Sequence, residues 1–199
     1  MMIDYLESID RSIVLAINGW HSPVMDEIMW ATSGKMIWIP LYVMLIMLYY
    51  RRETFKKTLV FLLSAILVVA LADLISAKLI KELVMRARPS HNLLLTDKLH
   101  FYRFVNGDYY KGGEYGFVSS HAANFFGLFT FVSLVLRHYY KKVTLILMIV
   151  ATFVCFSRIY LGVHYLSDII FGGLLGALIA YLVYRFLFIA IIKKEFIKQ

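Results

Sequence analysis

Charge is what this 199-residue chain has least of: Asp, Glu, Lys and Arg make up 17% of it, against a hydrophobic share of 61% and a mean hydropathy of +0.72. So few charges cannot coat a soluble surface, and the composition reads as an integral membrane protein of one domain's length, residues 1–199. Cysteine is nearly absent too. Cys155 stands alone, so no intramolecular disulfide can form, and it reads as a small apolar residue of the core or lipid face. The N-terminus has no basic n-region, carrying Asp4, Glu7 and Asp10 instead, so no secretory leader is expected. A continuous basic face is also missing. The segments Arg51–Lys57, Arg137–Lys142 and Lys193–Gln199 hold ten of the 21 basic and two of the 13 acidic residues, which accounts for the whole net charge of +8. Basic clusters beside apolar runs follow the positive-inside rule. They report topology and argue against a nucleic-acid partner.

What is present is apolar sequence in blocks. The expectation is an all-α integral membrane bundle of about five transmembrane helices. Residues 1–34 are too interrupted for a crossing and read as interfacial helices. The first span runs from about Met36 to Tyr50, with Pro40 a candidate kink, and the second from Thr58 to Ile80, long enough to cross with tilt. Asp73 and Lys78 in its later part read as a bundle-facing carboxylate and a snorkelling cation. The helix is expected to continue to Arg88, because nothing breaks it before Pro89. Lys81 and Arg88 would then share a face two turns apart, with Arg86 turned to solvent or lipid headgroups. Residues 90–118 form a long loop rich in aromatics, a headgroup-lying segment, a lid or a packed cap. Three further spans follow, from Ser119 to Leu136, from Val143 to Phe156 and from Leu166 to about Ile192. Gly172, Gly176 and Ala180 give the last one a ridge for close helix packing.

With every basic cluster inside, five spans bring Lys81–Arg88, the loop, Ser119–His121 and Arg158–Asp168 to one extracytoplasmic face. Ionisable residues at a membrane boundary mark function. Lys81, Arg88 and Arg158 together suit an oxyanion, above all phosphate. Ser119 and His121 fall at a helix N-terminus, where free N–H groups favour an anion. Two histidines then allow one to attack phosphorus while the other protonates the leaving oxygen. Asp168, one turn from His164, would orient that imidazole if the helix reaches back so far. His164 and Asp168 also have a ligand spacing, but no second helix offers a partner pair and the cations would repel a divalent ion, so no metal and no cofactor is expected. His21, His91, His100 and His138 read as structural.

Three stretches carry a resemblance. Lys81, six residues, then Arg88-Pro89; Val118-Ser119-Ser120-His121; and Ser157-Arg158, five residues, His164, three residues, Asp168 resemble the three signature motifs of the type 2 phosphatidic acid phosphatase superfamily. The second departs from the family's Pro-Ser-Gly-His at Val118 and Ser120. The resemblance implies His164 as nucleophile forming a phosphohistidine, Asp168 supporting it, and His121 as proton donor and later as the base that activates water. It implies Lys81, Arg88, Ser119, the Ser120 amide and Arg158 as phosphate ligands, with no metal. The expected substrate is a membrane lipid phosphate or diphosphate met from the bilayer at the outer face of the cytoplasmic membrane. Undecaprenyl diphosphate ranks first, ahead of lipid A and phosphatidylglycerophosphate or phosphatidate. Vanadate-dependent oxidation and a non-enzymatic lipid-phosphate binder or transporter are the competing classes, the latter disfavoured because no inverted repeat is evident.

Overall fold

The computed structural model describes residues 2–196, with side chains from 5 to 194; Met1 and the end of the Lys193–Gln199 basic segment lie outside them. The described chain is helical, and pairing of extended backbone is limited to two isolated bridges, Ala87 with Tyr115 and Arg103 with Tyr109. Three helical rods are long and apolar enough to cross a membrane: Phe55–Val84, Val143–Tyr160 and Leu166–Lys194. Ser120–Leu136 is apolar but shorter, and Pro23–Ser33 with Met36–Tyr50 passes the same test only as a pair bent by 70°. Three of the five expected spans are met by rods of crossing length, the one from Ser119 by the shorter Ser120–Leu136, and the first, expected over Met36–Tyr50 alone, reaches crossing length only together with Pro23–Ser33, which was expected at the interface.

The N-terminal stretch forms α1 (Met2–Asn18) and α2 (Pro23–Ser33), and Ser22 caps α2 by accepting the Met25 N–H. Both pack on the bundle: Val14 and Met29 are buried, and Asn18 donates to the Tyr160 carbonyl at 2.7 Å. The kink expected at Pro40 is absent. Pro40 lies in the first turn of α3 (Ile39–Tyr50), where a missing N–H leaves no hydrogen bond broken. The bend falls instead at Gly34 and Lys35, between α2 and the short 3₁₀ turn Met36–Trp38.

The second rod joins α4 (Phe55–Asp73), a π-helical stretch (Leu74–Ile80) and α5 (Lys81–Val84). It stops earlier than the sequence suggests. Met85 adopts left-handed φ of 49° and its N–H closes on the Lys81 carbonyl at 3.0 Å, a helix C-terminus four residues before Pro89. Arg86 to Arg88 is therefore not helical, and the Arg88 N–H pairs with the Glu114 carbonyl at 3.0 Å. The shared helix face proposed for Lys81 and Arg88 does not exist; they meet because the chain turns back. Asp73 and Lys81 are eight residues apart, about 80° out of phase in a plain α-helix. The wider turn of the π stretch offsets this, and both face one cavity.

The remaining elements are α6 (Ser120–Leu136), α7 (Val143–Tyr160), α8 (Leu166–Leu182), and, after a second π stretch (Val183–Phe188), α9 (Ile189–Phe196). α7 runs four residues beyond the expected end, which puts Ser157 and Arg158 on its last turn. The ridge on α8 does what its spacing predicts: a Cβ at Gly176 would collide with the Ala123 carbonyl of α6, so only glycine lets the two backbones approach this closely. Phe61, Val68, Phe129, Phe131, Leu136 and Leu147 fill the core between α4, α6 and α7.

Between α5 and α6 the loop is anchored by Leu95, Leu99 and Phe101, buried against α1 and α7. Trp30 of α2 stacks on Tyr102 at 4.7 Å and meets Phe104 and Tyr110 edge-on. The loop is thus a packed cap. A cysteine introduced at Asp108 in this cap and another at Lys141 in the α6–α7 turn should react with impermeant thiol reagent from opposite sides of the membrane, Asp108 from outside. Labelling of both from one side would refute the five-crossing arrangement.

Candidate active site

His164 sits in the turn between α7 and α8, not on the helix, because α8 begins only at Leu166. Asp168 bridges the gap. From the first turn of α8 its Oδ2 accepts the Tyr165 N–H at 3.0 Å, as the acidic half of a capping box does, and lies 3.2 Å from His164 Nδ1. On the far side of the ring, Arg88 Nη1 is 3.2 Å from Nε2. A guanidinium has only donors, so Nε2 must accept, and the proton is on Nδ1 facing Asp168. That tautomer carries its lone pair toward Arg88. The ring is 1% exposed. Burial first, then the cations Arg88, Arg158 and Lys81, push its pKa well below the ordinary histidine value, which keeps the imidazole neutral.

The cations arrive from three elements. Lys81 donates from α5 to the Ser120 hydroxyl at 3.1 Å, and Ser76 donates to the same oxygen at 3.0 Å. Arg88 is held by the carbonyls of Tyr115 at 3.0 Å and Val163 at 3.2 Å. Burial and the neighbouring Arg158 both work against its charge, yet guanidinium stays protonated. Arg158 projects from α7 to the Ser33 hydroxyl and, through Nη2, to Tyr110 Oη at 2.7 Å; its buried Nε has no partner among the described residues. Lys81, Arg88, Ser120, His121, Arg158 and His164 line one cavity of about 390 Å³.

Two predicted residues stand behind the wall. Asp168, fully buried, reaches the cavity only through His164. Ser119 is also fully buried, its Oγ accepting the Ala122 N–H at 3.4 Å as the N-cap of α6. The cap leaves the Ser120 and His121 N–H groups without a hydrogen-bond partner among the described residues. Ser120 takes ordinary helical geometry at the first position of α6, with no positive φ, so the family's glycine is not needed there. Its hydroxyl instead ties α6 to Lys81.

Arg86, which the sequence places toward solvent or headgroups, turns inward instead. Its Nη1 donates to Asp168 Oδ1 at 2.9 Å and to Ser167 Oγ at 2.7 Å, and its Nη2 to Asp10 Oδ2 at 2.9 Å. The guanidinium also lies 4.2 Å over the Tyr165 ring. Burial opposes the charge, but the Asp10 hydrogen bond and the Asp168 carboxylate hold its pKa above the ordinary arginine value. Only knowing that the helix ends at Val84 would have turned Arg86 inward, and no sequence signal marks a left-handed Met85. Asp10, Ser33, Lys35 and Tyr110 were missed for a similar reason, as contacts made across the fold. Gly116 has a legible reason in retrospect: a Cβ there would lie 2.9 Å from Asp168 Oδ2. Among the described residues no three His, Cys, Asp or Glu side chains converge as a metal ion would need. His100 pairs with Asp26 at 2.8 Å and stacks on His21, a structural use.

A neutral buried histidine makes stability depend on pH with a definite sign. The unfolded chain takes up a proton as pH falls below about 6.5, and the folded His164 does not, so stability is lost downward from there by at most about 1.4 kcal/mol per pH unit. The melting temperature in detergent should therefore fall between pH 7.5 and pH 5, and His164→Gln should flatten that fall. An equal slope in the variant would contradict a buried neutral ring.

Comparison with known proteins agrees with this geometry. A lipid A 4'-phosphatase of Porphyromonas gingivalis is 33% identical over 92% of this chain and 75% of its own length. One of Bacteroides thetaiotaomicron is also 33% identical, over 92% of this chain and 79% of its own. The crystal structure of a transmembrane PAP2-type phosphatidylglycerolphosphate phosphatase from Bacillus subtilis superposes with a TM-score of 0.67 at 25% identity, covering 92% of this chain and 86% of that one. Residues 59–191 match the PAP2 superfamily, and the chain belongs to that family of membrane phosphatases.

Proposed function

We propose that the chain is a lipid-phosphate phosphatase that works at the extracytoplasmic face through a phosphohistidine. The observation that carries the reading is the polarised His164: Nδ1 tied to Asp168 and a lone pair on Nε2 aimed among three cations. A phosphate entering the cavity takes the place Arg88 now occupies at Nε2. Lys81, Arg88, Arg158 and the free N–H groups of Ser120 and His121 hold its oxygens and the charge that develops on them. Ser119, as cap, fixes where those N–H groups point. The Nε2–P bond then forms as the ester P–O bond breaks, and His121 gives its proton to the leaving oxygen. In the second half His121 takes a proton from water, whose oxygen attacks phosphorus and breaks the N–P bond. Asp168 offsets the positive charge on the ring throughout.

Two relatives that are lipid A 4'-phosphatases favour a phosphorylated glycolipid as substrate, which moves undecaprenyl diphosphate from first place. A phosphatidylglycerophosphate-type substrate is the second reading, favoured by the Bacillus subtilis structure. In either case the acyl chains stay in the bilayer. An apolar groove of about 490 Å³ between α3, α4 and α6 joins the phosphate cavity and shares Tyr42, Asp73, Asn124 and Leu128 with it.

Purified protein in detergent with EDTA should release phosphate from lipid phosphates, and His164→Ala should lower the rate at least about a thousandfold. Full activity in the variant, or an absolute need for added metal, would refute the mechanism. Arg86→Met removes a charge-assisted hydrogen bond of ~1.5–3 kcal/mol from Asp168, so kcat should fall roughly ten- to a hundredfold with KM little changed, and Arg86→Lys should restore part of it. A fall in KM and kcat together, or no rescue by lysine, would mean that Arg86 only supports the fold.

A further inference from the structure

The cavity holds one group that a phosphate site has no use for. Asp73, at the end of α4, lines it together with Lys81 and His121, where a carboxylate repels a phosphate dianion. Its Oδ1 accepts from Asn124 Nδ2 at 3.1 Å, while Oδ2 has no hydrogen-bond partner among the described residues. Lys35 and Lys81 line the same cavity, and Lys81 feels the Asp73 charge, but among the described residues neither makes a hydrogen bond or a close ion pair with it. The Asp73 bond also orients the amide: a carboxylate needs a donor, so Nδ2 faces it and Oδ1 turns away. Asn124 Oδ1 is buried there without a partner. Asn124 Oδ1 is thus a buried acceptor with no donor to meet it, costly unless something else supplies one, and Asp73, more exposed, offers a second open acceptor beside it.

Their position says what that donor belongs to. Asp73 and Asn124 line both the phosphate cavity and the apolar groove. A lipid with its phosphate at His164 and its chains in the groove must pass its linking moiety over these two residues. We propose that Asp73 and Asn124 form a recognition subsite for that moiety, accepting hydrogen bonds from O–H or N–H groups of a sugar or glycerol that carries the phosphate. The inference rests on the phosphatase reading and extends it to the choice of substrate. A polyprenyl phosphate has no donor at this point and leaves the buried Asn124 acceptor unpaired. Sites built to bond a donor reject analogues that lack it far more strongly than apolar pockets reject a wrong size. Asp73, read from the sequence as a bundle-facing carboxylate, becomes a specificity-determining residue.

The test compares substrates on the full chain in detergent: a glucosamine-based 4'-phosphoglycolipid, phosphatidylglycerophosphate, and undecaprenyl phosphate and diphosphate. The readout is the ratio of kcat/KM for each donor-bearing lipid to that for the polyprenyl lipids. Asp73→Ala and Asn124→Ala should each lower that ratio about 10- to 100-fold, the loss of a hydrogen bond to a charged or buried acceptor. The isosteric Asp73→Asn should shift it in the same direction and guards against misfolding of the alanine variants. Whichever donor-bearing lipid loses more identifies sugar or glycerol as the natural source. Ratios that stay constant while the wild type is active would overturn the subsite alone. A wild type that releases phosphate from none of the lipids would overturn the phosphatase reading and the subsite with it.

Discussion

A carboxylate with no exposed surface, set at the head of a 29-residue apolar rod, is the constraint on which the site depends. Asp168 is tolerated there because donors converge on it: the Tyr165 N–H and His164 Nδ1 on one oxygen, Arg86 on the other. Remove any of these and a buried charge is left undercompensated, which costs several kcal/mol in favourable cases for folding. The same contacts fix the imidazole in one tautomer and one orientation. Burial of the charge and orientation of the His164 ring, the proposed nucleophile, are therefore one arrangement, and the fold elements that supply the donors are drawn in by it. Arg86 brings the extended segment after α5, and through Asp10 it brings α1.

Around this centre the close backbone contacts become intelligible. α8 must approach α6 closely enough for the Ser119 N–H to reach the Asp168 carbonyl at 3.0 Å, and the Gly172–Gly176 ridge permits that approach. Gly116 lets the loop cross over Asp168 and Arg88 without a side chain in the way. The loop is thereby committed as a cap, with Tyr110 spanning from the Trp30 cluster to Arg158. The site has an aromatic roof and, toward α3 and α4, an adjoining apolar groove.

Much of this was written in the sequence in periodic or motif form. Apolar blocks give the rods, the small-residue spacing gives the α6–α8 contact, and three motifs carry the residues that line the cavity. What could not be read is what depends on a backbone angle or on a partner distant in sequence. Lys81 and Arg88 do meet, but not as their seven-residue spacing implies: that spacing suggests a shared helix face, whereas the chain turns at Met85. Arg86 lost its place for the same reason. Ser119 reads as a phosphate ligand in the motif, yet a serine at this position satisfies the helix end first. Asp73 could be seen but not placed, because the π-helical stretch that sets its direction has no sequence signature.

The central claim is that phosphorus is transferred to His164 before water. Its most direct test is stereochemical: hydrolysis of a lipid phosphate made chiral at phosphorus with oxygen isotopes and sulfur. Two in-line displacements, first by Nε2 and then by water, invert twice, so the account predicts net retention of configuration in the released thiophosphate. Net inversion would mean that water attacks directly, and His164 would then be no nucleophile.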